Sequence, residues 1–447
     1  MKKIFIEKSF HSSPIGEIPT DWKHIPLSDI AEINPKPIKL SNDFTKISFI
    51  GMADVTVDSH LSNTTDKSYS EVKKGFTSFY NNDILVAKIT PCFENGKGAL
   101  VKGLKNGIGF GSTEFHVLRA KPMKGCASFI HYITTTEDFR KKGEMNMTGT
   151  AGQKRVGKDF ISNYMIACPP VDEQTEIAIF LSIVDKKIEL IDKKIIETQN
   201  LKKALLQKLF SEGVGVQDEN GKWHPHTELK KSSCGKNPKS WHIAKLGEHA
   251  TKVGSGVTPK GGSKAYVNHG IPLLRSQNIL FGKLKLDDVA FITETQHEKM
   301  KGSQLQPRDV LLNITGASIG RCAVLPDDFL EGNVNQHVCI IRTTSSLLPE
   351  FVSIFLNSHF GQKQIWNLQA GGNREGLNFQ QIRSFDIPLP PVNEQKEIMG
   401  ICSTVDSKIR LLEQQKSETQ LLKKGLMQKL LTGEWRILLA CDKEEAA

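Results

Sequence analysis

Between residues 170 and 210 the apolar positions fall into one long register. Ile177, Leu181, Val184, Ile188, Ile191 and Ile195 recur at alternating spacings of four and three, which puts them on one stripe of an α-helix and predicts a coiled-coil seam. Pro169 and Pro170 precede the run, and Asp172 is suited to cap it, with Glu173 and Glu176 in the first turn. Lys202, Lys203 and Lys208 crowd the far end before Gly213 and Gly215 break the helix. The same register returns at Ile398, Cys402, Val405, Ile409 and Leu412, and later at Leu426 and Leu430. The chain before each run reads differently. Short apolar runs such as Ile84-Leu85-Val86-Ala87 and Phe115-His116-Val117-Leu118, punctuated by Gly and Asn, predict strands of a mixed α+β module.

The two helical segments are copies. Pro169-Pro170-Val171-Asp172-Glu173-Gln174 returns as Pro390-Pro391-Val392-Asn393-Glu394-Gln395, and the match runs on without a gap to Phe210 and Leu431. Of 42 aligned positions 23 are identical, so duplication decides the architecture. Each helix of about 40 residues would be roughly 60 Å long. An exposed apolar stripe of that length is costly, and its simplest partner is the other copy. The expected fold is α+β: two globular mixed α/β domains separated by two long helices packed as an antiparallel coiled coil, with a pseudo-twofold internal repeat. The boundaries expected are a first module at 1–168, a central helical region at 169–212, a polar linker at 213–236, a second module at 237–388, a C-terminal helical region at 389–436 and a tail at 437–447.

The modules are loosely parallel. Pro19-Thr20-Asp21-Trp22 opens the first as Pro238-Lys239-Ser240-Trp241 opens the second, with Leu27 and Leu246 five residues on. Ile50-Gly51-Met52-Ala53-Asp54-Val55 aligns with Leu274-Arg275-Ser276-Gln277-Asn278-Ile279, and Asp83-Ile84-Leu85 with Asp309-Val310-Leu311. Ile89-Thr90 is then set against Ile314-Thr315, Gly96-Lys97 against Gly320-Arg321, and His116-Val117 against His337-Val338. Core positions agree while polar positions differ, as expected of two modules doing one kind of work on two targets.

At 447 residues the chain exceeds a single core. Its net charge of +10 favours a polyanionic partner. Lys2 and Lys3 are followed by no sustained apolar stretch, and no run is long enough to span a bilayer, so a cytoplasmic location without membrane contact is expected. The cysteines form no CxxC pair, and His224, His226 and Cys234 match no zinc spacing. No metal site is expected.

No catalytic constellation is legible. Gly152-Gln153-Lys154-Arg155-Val156-Gly157-Lys158-Asp159 nearly fits a phosphate-binding loop, but Asp stands where the magnesium-holding hydroxyl belongs. Glu394-Gln395-Lys396 resembles a nuclease Glu-x-Lys, yet it lies in a first helical turn, where an acidic residue suits the dipole. Recognition remains. Gly149 to Lys158 carries Gln153, Lys154, Arg155 and Lys158 on a glycine-rich loop before the first helix, and the matching loop carries Gln369, Asn373 and Arg374. Glycine permits close backbone approach, and these side chains read base edges and phosphates. The competing account is a solvated polar loop, and recurrence before both helices favours DNA. Arg275, Gln277, Asn278, Asn313 and Thr315 are weaker candidates, because Asn, Ser and Thr also serve ordinary turns. Lys88, Thr90, Lys97 and Arg321, on the aligned strand-and-turn segments, complete the DNA-binding set.

With these residues in hand, the chain resembles the specificity subunits of type I restriction-modification enzymes. The likeness rests on the module-helix-module-helix layout and on Pro-Pro-x-x-Glu-Gln-x-x-Ile at Pro169 to Ile177 and Pro390 to Ile398. The helix ends Leu205 to Leu209 and Leu426 to Gly433, the two Pro-x-x-Trp openings and Gly270 to Arg275 add to it. The resemblance implies two target-recognition domains, each reading half of a bipartite, asymmetric site in double-stranded DNA. It also implies methyltransferase (M) subunits, two of them, docking on the helical regions, with Glu173, Gln174, Glu394 and Gln395 as docking candidates. Nuclease-translocase (R) subunits would join through them. S-adenosylmethionine, ATP and magnesium would belong to those partners, and this chain would be non-catalytic. The alternative is a repeat-built DNA-binding or protein-interaction scaffold without restriction partners.

Overall fold

The structure, a computed structural model, describes residues 9–13, 16–150, 152–259, 261–369 and 376–437. The two predicted long helices are α1 (Val171–Glu212) and α2 (Val392–Leu431). Both start directly after the paired prolines, which lose no intrahelical bond at that position. Asp172 therefore lies inside the first turn of α1 and is not its cap. The chain forms two compact units, one from the residues up to Asp192 together with those from Gln414 onward, the other Lys193–Glu413. Each unit takes half of each long helix, so the units cut across the expected boundaries between module and helix.

In the first unit, one sheet has strand order β1-β4-β2-β3, made of β1 (Ala31–Ile33), β2 (Ile84–Ala87), β3 (Gly98–Leu100) and β4 (Phe115–Ala120). Its pairings are all antiparallel. Every residue of β2 is buried, which is why that strand reads as a continuous apolar run. A second sheet is built from Thr65–Ser68, Lys46–Ile50, Ile108–Gly111 and Thr77–Tyr80. Strand Lys23–Pro26 pairs with Met165–Cys168, which leads into α1. The main core gathers Trp22, Phe129 and Phe139 with Ile177 and Leu181 of α1 and Leu426 and Leu430 of α2. Burying each such Ile or Leu stabilises by about 1.5–3 kcal/mol. Lys423 meets Asp185 at 2.6 Å and Lys416 meets Asp192 at 2.7 Å. Numbers rise on α1 as they fall on α2, so the helix halves run antiparallel.

The second unit repeats this construction with the helices exchanged. Its sheet has strand order β5-β8-β6-β7, made of β5 (Ala250–Ser255), β6 (Val310–Asn313), β7 (Cys322–Val324) and β8 (Val338–Thr343). A smaller sheet holds Ala290–Ile292, Ile271–Leu274 and Asn333–Val334. Strand His242–Lys245 pairs with Asp386–Leu389, which leads into α2. Trp241 and Phe351 pack with Leu209 and Phe210 of α1 and Ile398 and Cys402 of α2. Lys202 meets Asp406 at 2.5 Å, again in the antiparallel sense. The 213–236 segment is more than a linker. It forms two hairpins, Val216–Gln217 with Trp223–His224 and Leu229–Ser232 with Gly235–Pro238.

Candidate nucleic-acid interface

In each unit the segment preceding the long helix returns to pair just beyond the end of an interior strand of the first-described sheet. In the first unit β2 runs on through Lys88 to Thr90. Val156 N–H donates to Lys88 O at 3.0 Å, and Thr90 N–H donates to Lys154 O at 3.0 Å. Arg155 pairs with both Ile89 and Thr148 as isolated bridges. The fold thus brings together Lys88, Thr90, Gln153, Lys154, Arg155 and Lys158, which the sequence placed in two separate stretches. Gln153, Lys154, Arg155 and Lys158 are exposed, and Lys88 and Thr90 are half-buried. Lys97 is nearby in sequence but tethered, with its ammonium 2.9 Å from Met52 O.

A carboxylate that the sequence did not single out sits in this cluster. Glu114 accepts from Arg155 Nε at 3.0 Å and from Arg155 Nη2 at 2.9 Å. Those bonds hold the Glu114 carboxyl below its ordinary range. The Lys88 ammonium is lowered by burial, partly restored by Glu114 and lowered further by Arg155. Beneath them His116 is buried, and its pKa is lowered to about 4 chiefly by burial. The neutral ring donates from Nε2 to Val156 O at 3.0 Å, and its Nδ1 accepts from Asn34 Nδ2 at 3.0 Å. His116 therefore pins the backbone next to Arg155.

In the second unit Ile314 N–H donates to His337 O at 3.0 Å, Leu377 N–H donates to Ile314 O at 2.9 Å, and Thr315 bridges Gly376. Thr315 Oγ1 lies 2.6 Å from His337 Nδ1. Asn373 and Arg374 lie outside the described residues. Arg275 is half-buried, with its guanidinium 5.7 Å from the Tyr266 ring. Gln277 is exposed and donates to Asp288 at 3.0 Å, and Arg321 is half-buried.

Two candidates are corrected. Asn278 and Asn313 are fully buried. Asn278 accepts from Arg275 N–H at 2.9 Å and donates to Lys285 O and Asp288 O. Asn313 donates to Ser276 O at 2.9 Å. Both shape the 275–288 loop from inside, where no base edge reaches. The alignment of Gly51 with Arg275 holds, because Gly51 N–H donates to Asp54 at 2.7 Å just as Arg275 N–H donates to Asn278. Further along it slips. Buried Asp83 pairs with Arg119 and buried Asp309 with Arg342, and these pairs anchor the strand registers. Val86 then faces His116 and Leu312 faces Cys339. The true equivalents are Lys88 with Ile314, Ile89 with Thr315, Glu114 with His337 and His116 with Cys339. The slip is one residue at Ile89, which reverses the face a strand residue occupies, and two at His116, which keeps it.

The four docking candidates are also corrected, since each is almost completely buried within its own chain. Glu173 accepts from the Trp22 indole at 3.1 Å and from Arg436 at 2.5 and 2.6 Å, and Arg436 also reaches Asp21. Glu394 accepts from the Trp241 indole at 2.8 Å, from His226 at 2.9 Å and from the N–H groups of Val214 and Gly215. Gln174 bonds the backbone of Cys126, Lys124 and Pro169, and Gln395 that of Leu348, Ser346 and Pro390. These side chains fasten each helix start to its module. Glu394 also explains the ordered 213–226 segment, which supplies three of its donors.

The family described as type I restriction modification DNA specificity domain matches residues 19–200 and again 238–420. The chain belongs to this family. Its two matched copies each end on a long helix, as the geometry above repeats. The specificity subunit of the type I restriction enzyme EcoAI from Escherichia coli is 28% identical over 86% of this chain and 77% of its own length. That of EcoEI from Escherichia coli is 44% identical over a shorter stretch, 36% of this chain and 27% of its own length. The specificity subunit MjaIX of Methanocaldococcus jannaschii is 22% identical over 98% of this chain and 99% of its own. Among solved structures, a chain from work on complex assembly and conformational transition of a type I R-M system aligns over 93% of this chain and 99% of its own. Its TM-score is 0.61 at 17% identity. The type I restriction-modification S subunit from M. genitalium aligns over 92% of this chain and 96% of its own, with a TM-score of 0.53 at 16% identity. The family membership favours the specificity subunit over the scaffold without restriction partners. No helix among the described residues is long and apolar enough to cross a membrane.

Proposed function

We propose that this chain reads a bipartite, asymmetric DNA site, one half with each unit, and carries the methyltransferase and restriction subunits of a type I complex. One observation carries the reading. The same strand end, with the returning segment paired to it, occurs in both units, and the side chains at matched positions differ: Lys88, Glu114 and Arg155 in one unit, Ile314, His337 and Gly376 in the other. Matched backbones with unmatched polar groups suit two unlike half-sites, since sequence is read by side chains at base edges. Exposed lysines such as Lys154 and Lys158 would supply phosphate affinity and its salt dependence.

The chain would be non-catalytic, with S-adenosylmethionine, ATP and magnesium held by partners. With Glu173, Gln174, Glu394 and Gln395 buried, the docking surface falls to the outer faces of the helices. There Ile179, Ile183, Leu190, Leu421 and Leu422 in the first unit, and Ile196 and Leu201 in the second, are about half or more exposed. Apolar residues gathered on the outside of a helix mark an interaction site. Co-expression with a methyltransferase subunit encoded beside this chain, followed by long-read sequencing for modified bases, tests the function. The expected result is a split motif with two unlike halves. A palindromic motif, or none, would overturn it.

A further inference from the structure

Arg155 is held at its backbone and at three of its five guanidinium N–H groups. Its backbone N–H donates to Thr148 O at 2.9 Å, and its carbonyl accepts from Thr148 N–H at 3.0 Å. Glu114 takes Nε and one N–H of Nη2, and Gln153 O takes one N–H of Nη1 at 3.0 Å. A guanidinium has five N–H donors in one plane. Three are used here, and the two that remain sit one on each terminal nitrogen. The side chain is 44% exposed.

Two coplanar donors, one on each terminal nitrogen, suit a pair of acceptors on one base edge. Guanine offers O6 and N7 in the major groove, the commonest arginine contact in DNA. A phosphate could also accept the fork, but the charges argue against it. Glu114 cancels the Arg155 charge and sets a carboxylate beside any phosphate that approached, so the pair adds little to phosphate attraction. A fixed plane with no net charge suits base reading. At the matched positions the second unit has Ile314, His337 and Gly376, so among the described residues this device occurs in the first unit alone.

We propose that Arg155 reads a guanine in the half-site served by the first unit, and that Glu114 is the positioning residue that presents it. This rests on the DNA-reading function proposed above. The test uses the full-length chain with its methyltransferase partner and compares wild type with Glu114→Gln, Arg155→Lys and the exchanged pair Glu114→Arg/Arg155→Glu. Motifs are read by long-read methylome sequencing. Selection from a random DNA library reads the same positions should methylation be lost. Arg155→Lys and Glu114→Gln are expected to make one G·C pair degenerate, with a roughly ten- to hundred-fold loss of discrimination there, and to leave the other half unchanged. The exchanged pair restores the ion pair, and with it any merely structural role, but it cannot restore the guanine. An unchanged motif in Arg155→Lys, a change at an A·T pair or in the other half, or recovery of the motif by the exchange would overturn the proposal. A wild-type complex with no split motif overturns the DNA-reading function itself, and the proposal with it.

Discussion

Trp22 donates its indole N–H to Glu173 at 3.1 Å, joining a module opening to a helix start 151 positions later. Trp241 and Glu394 repeat the bond at 2.8 Å. The partners of the two carboxylates differ. Arg436 completes one, and His226 with two backbone N–H groups completes the other. The module opening and the helix start were therefore duplicated together, while the donors completing them diverged.

Removing Glu173 leaves the Arg436 guanidinium and the Trp22 indole without their buried acceptor. Breaking one side of a buried ion pair costs about 3–5 kcal/mol. Denaturant unfolding of Glu173→Ala should show a loss of that size, and Arg436→Ala a comparable one. A midpoint unchanged in both would show that the latch contributes nothing to stability.

Gly213 and Gly433 follow the two long helices with φ of +71° and +77°. A Cβ on Gly213 would lie 2.5 Å from Glu394 Oε1, and one on Gly433 2.5 Å from Pro19 Cδ. Gly213→Ala and Gly433→Ala should each cost more than about 1 kcal/mol, because left-handed strain adds to a clash. Thermal melts of the two variants against wild type check this.

His116 gives the first unit a pH dependence. Its pKa falls from 6.5 unfolded to about 4 folded, so the unfolded chain binds more protons between those values. Stability is fully present above about pH 6.5 and is lost as pH falls toward 4, on the order of 3 kcal/mol in total. His116→Gln should flatten the change in melting temperature between pH 7 and pH 5. An equal slope in wild type and variant would place the titration elsewhere.

Lys154 and Lys158 should behave unlike Arg155. Each is exposed beside the glycine-rich segment. Alanine at either position should weaken binding uniformly across sequences and lower the log–log salt slope by about 1. Fluorescence anisotropy across a salt series measures both, and a slope that stays at the wild-type value would remove these lysines from the phosphate contacts.

The long helices were legible because their apolar spacing is a local signal repeated over many turns. The strands around Ile84 and Phe115 were legible because fully buried strand residues read as short continuous apolar runs. What failed was long-range. Nothing near Glu173 announces Arg436, 263 residues away, so a buried acid resembled a surface one. Asn278 and Asn313 carry side chains that serve loops and bases equally well, and only burial separates the two uses. His116 was set against His337 by identity, whereas the Asp83–Arg119 and Asp309–Arg342 pairs fix a different register. Glu114 went unnoticed because its partner is 41 residues downstream.

Arg436 belongs to the far end of the chain, yet it neutralises an acid in the unit that is synthesised first. During translation that unit would have Trp22 on Glu173 but no Arg436, and Ile177 and Leu181 would lack Leu426 and Leu430, until the ribosome has passed α2. A premature stop codon after Glu413 would thus spare the later-made head and cripple the earlier one, reversing the usual polarity of truncation damage.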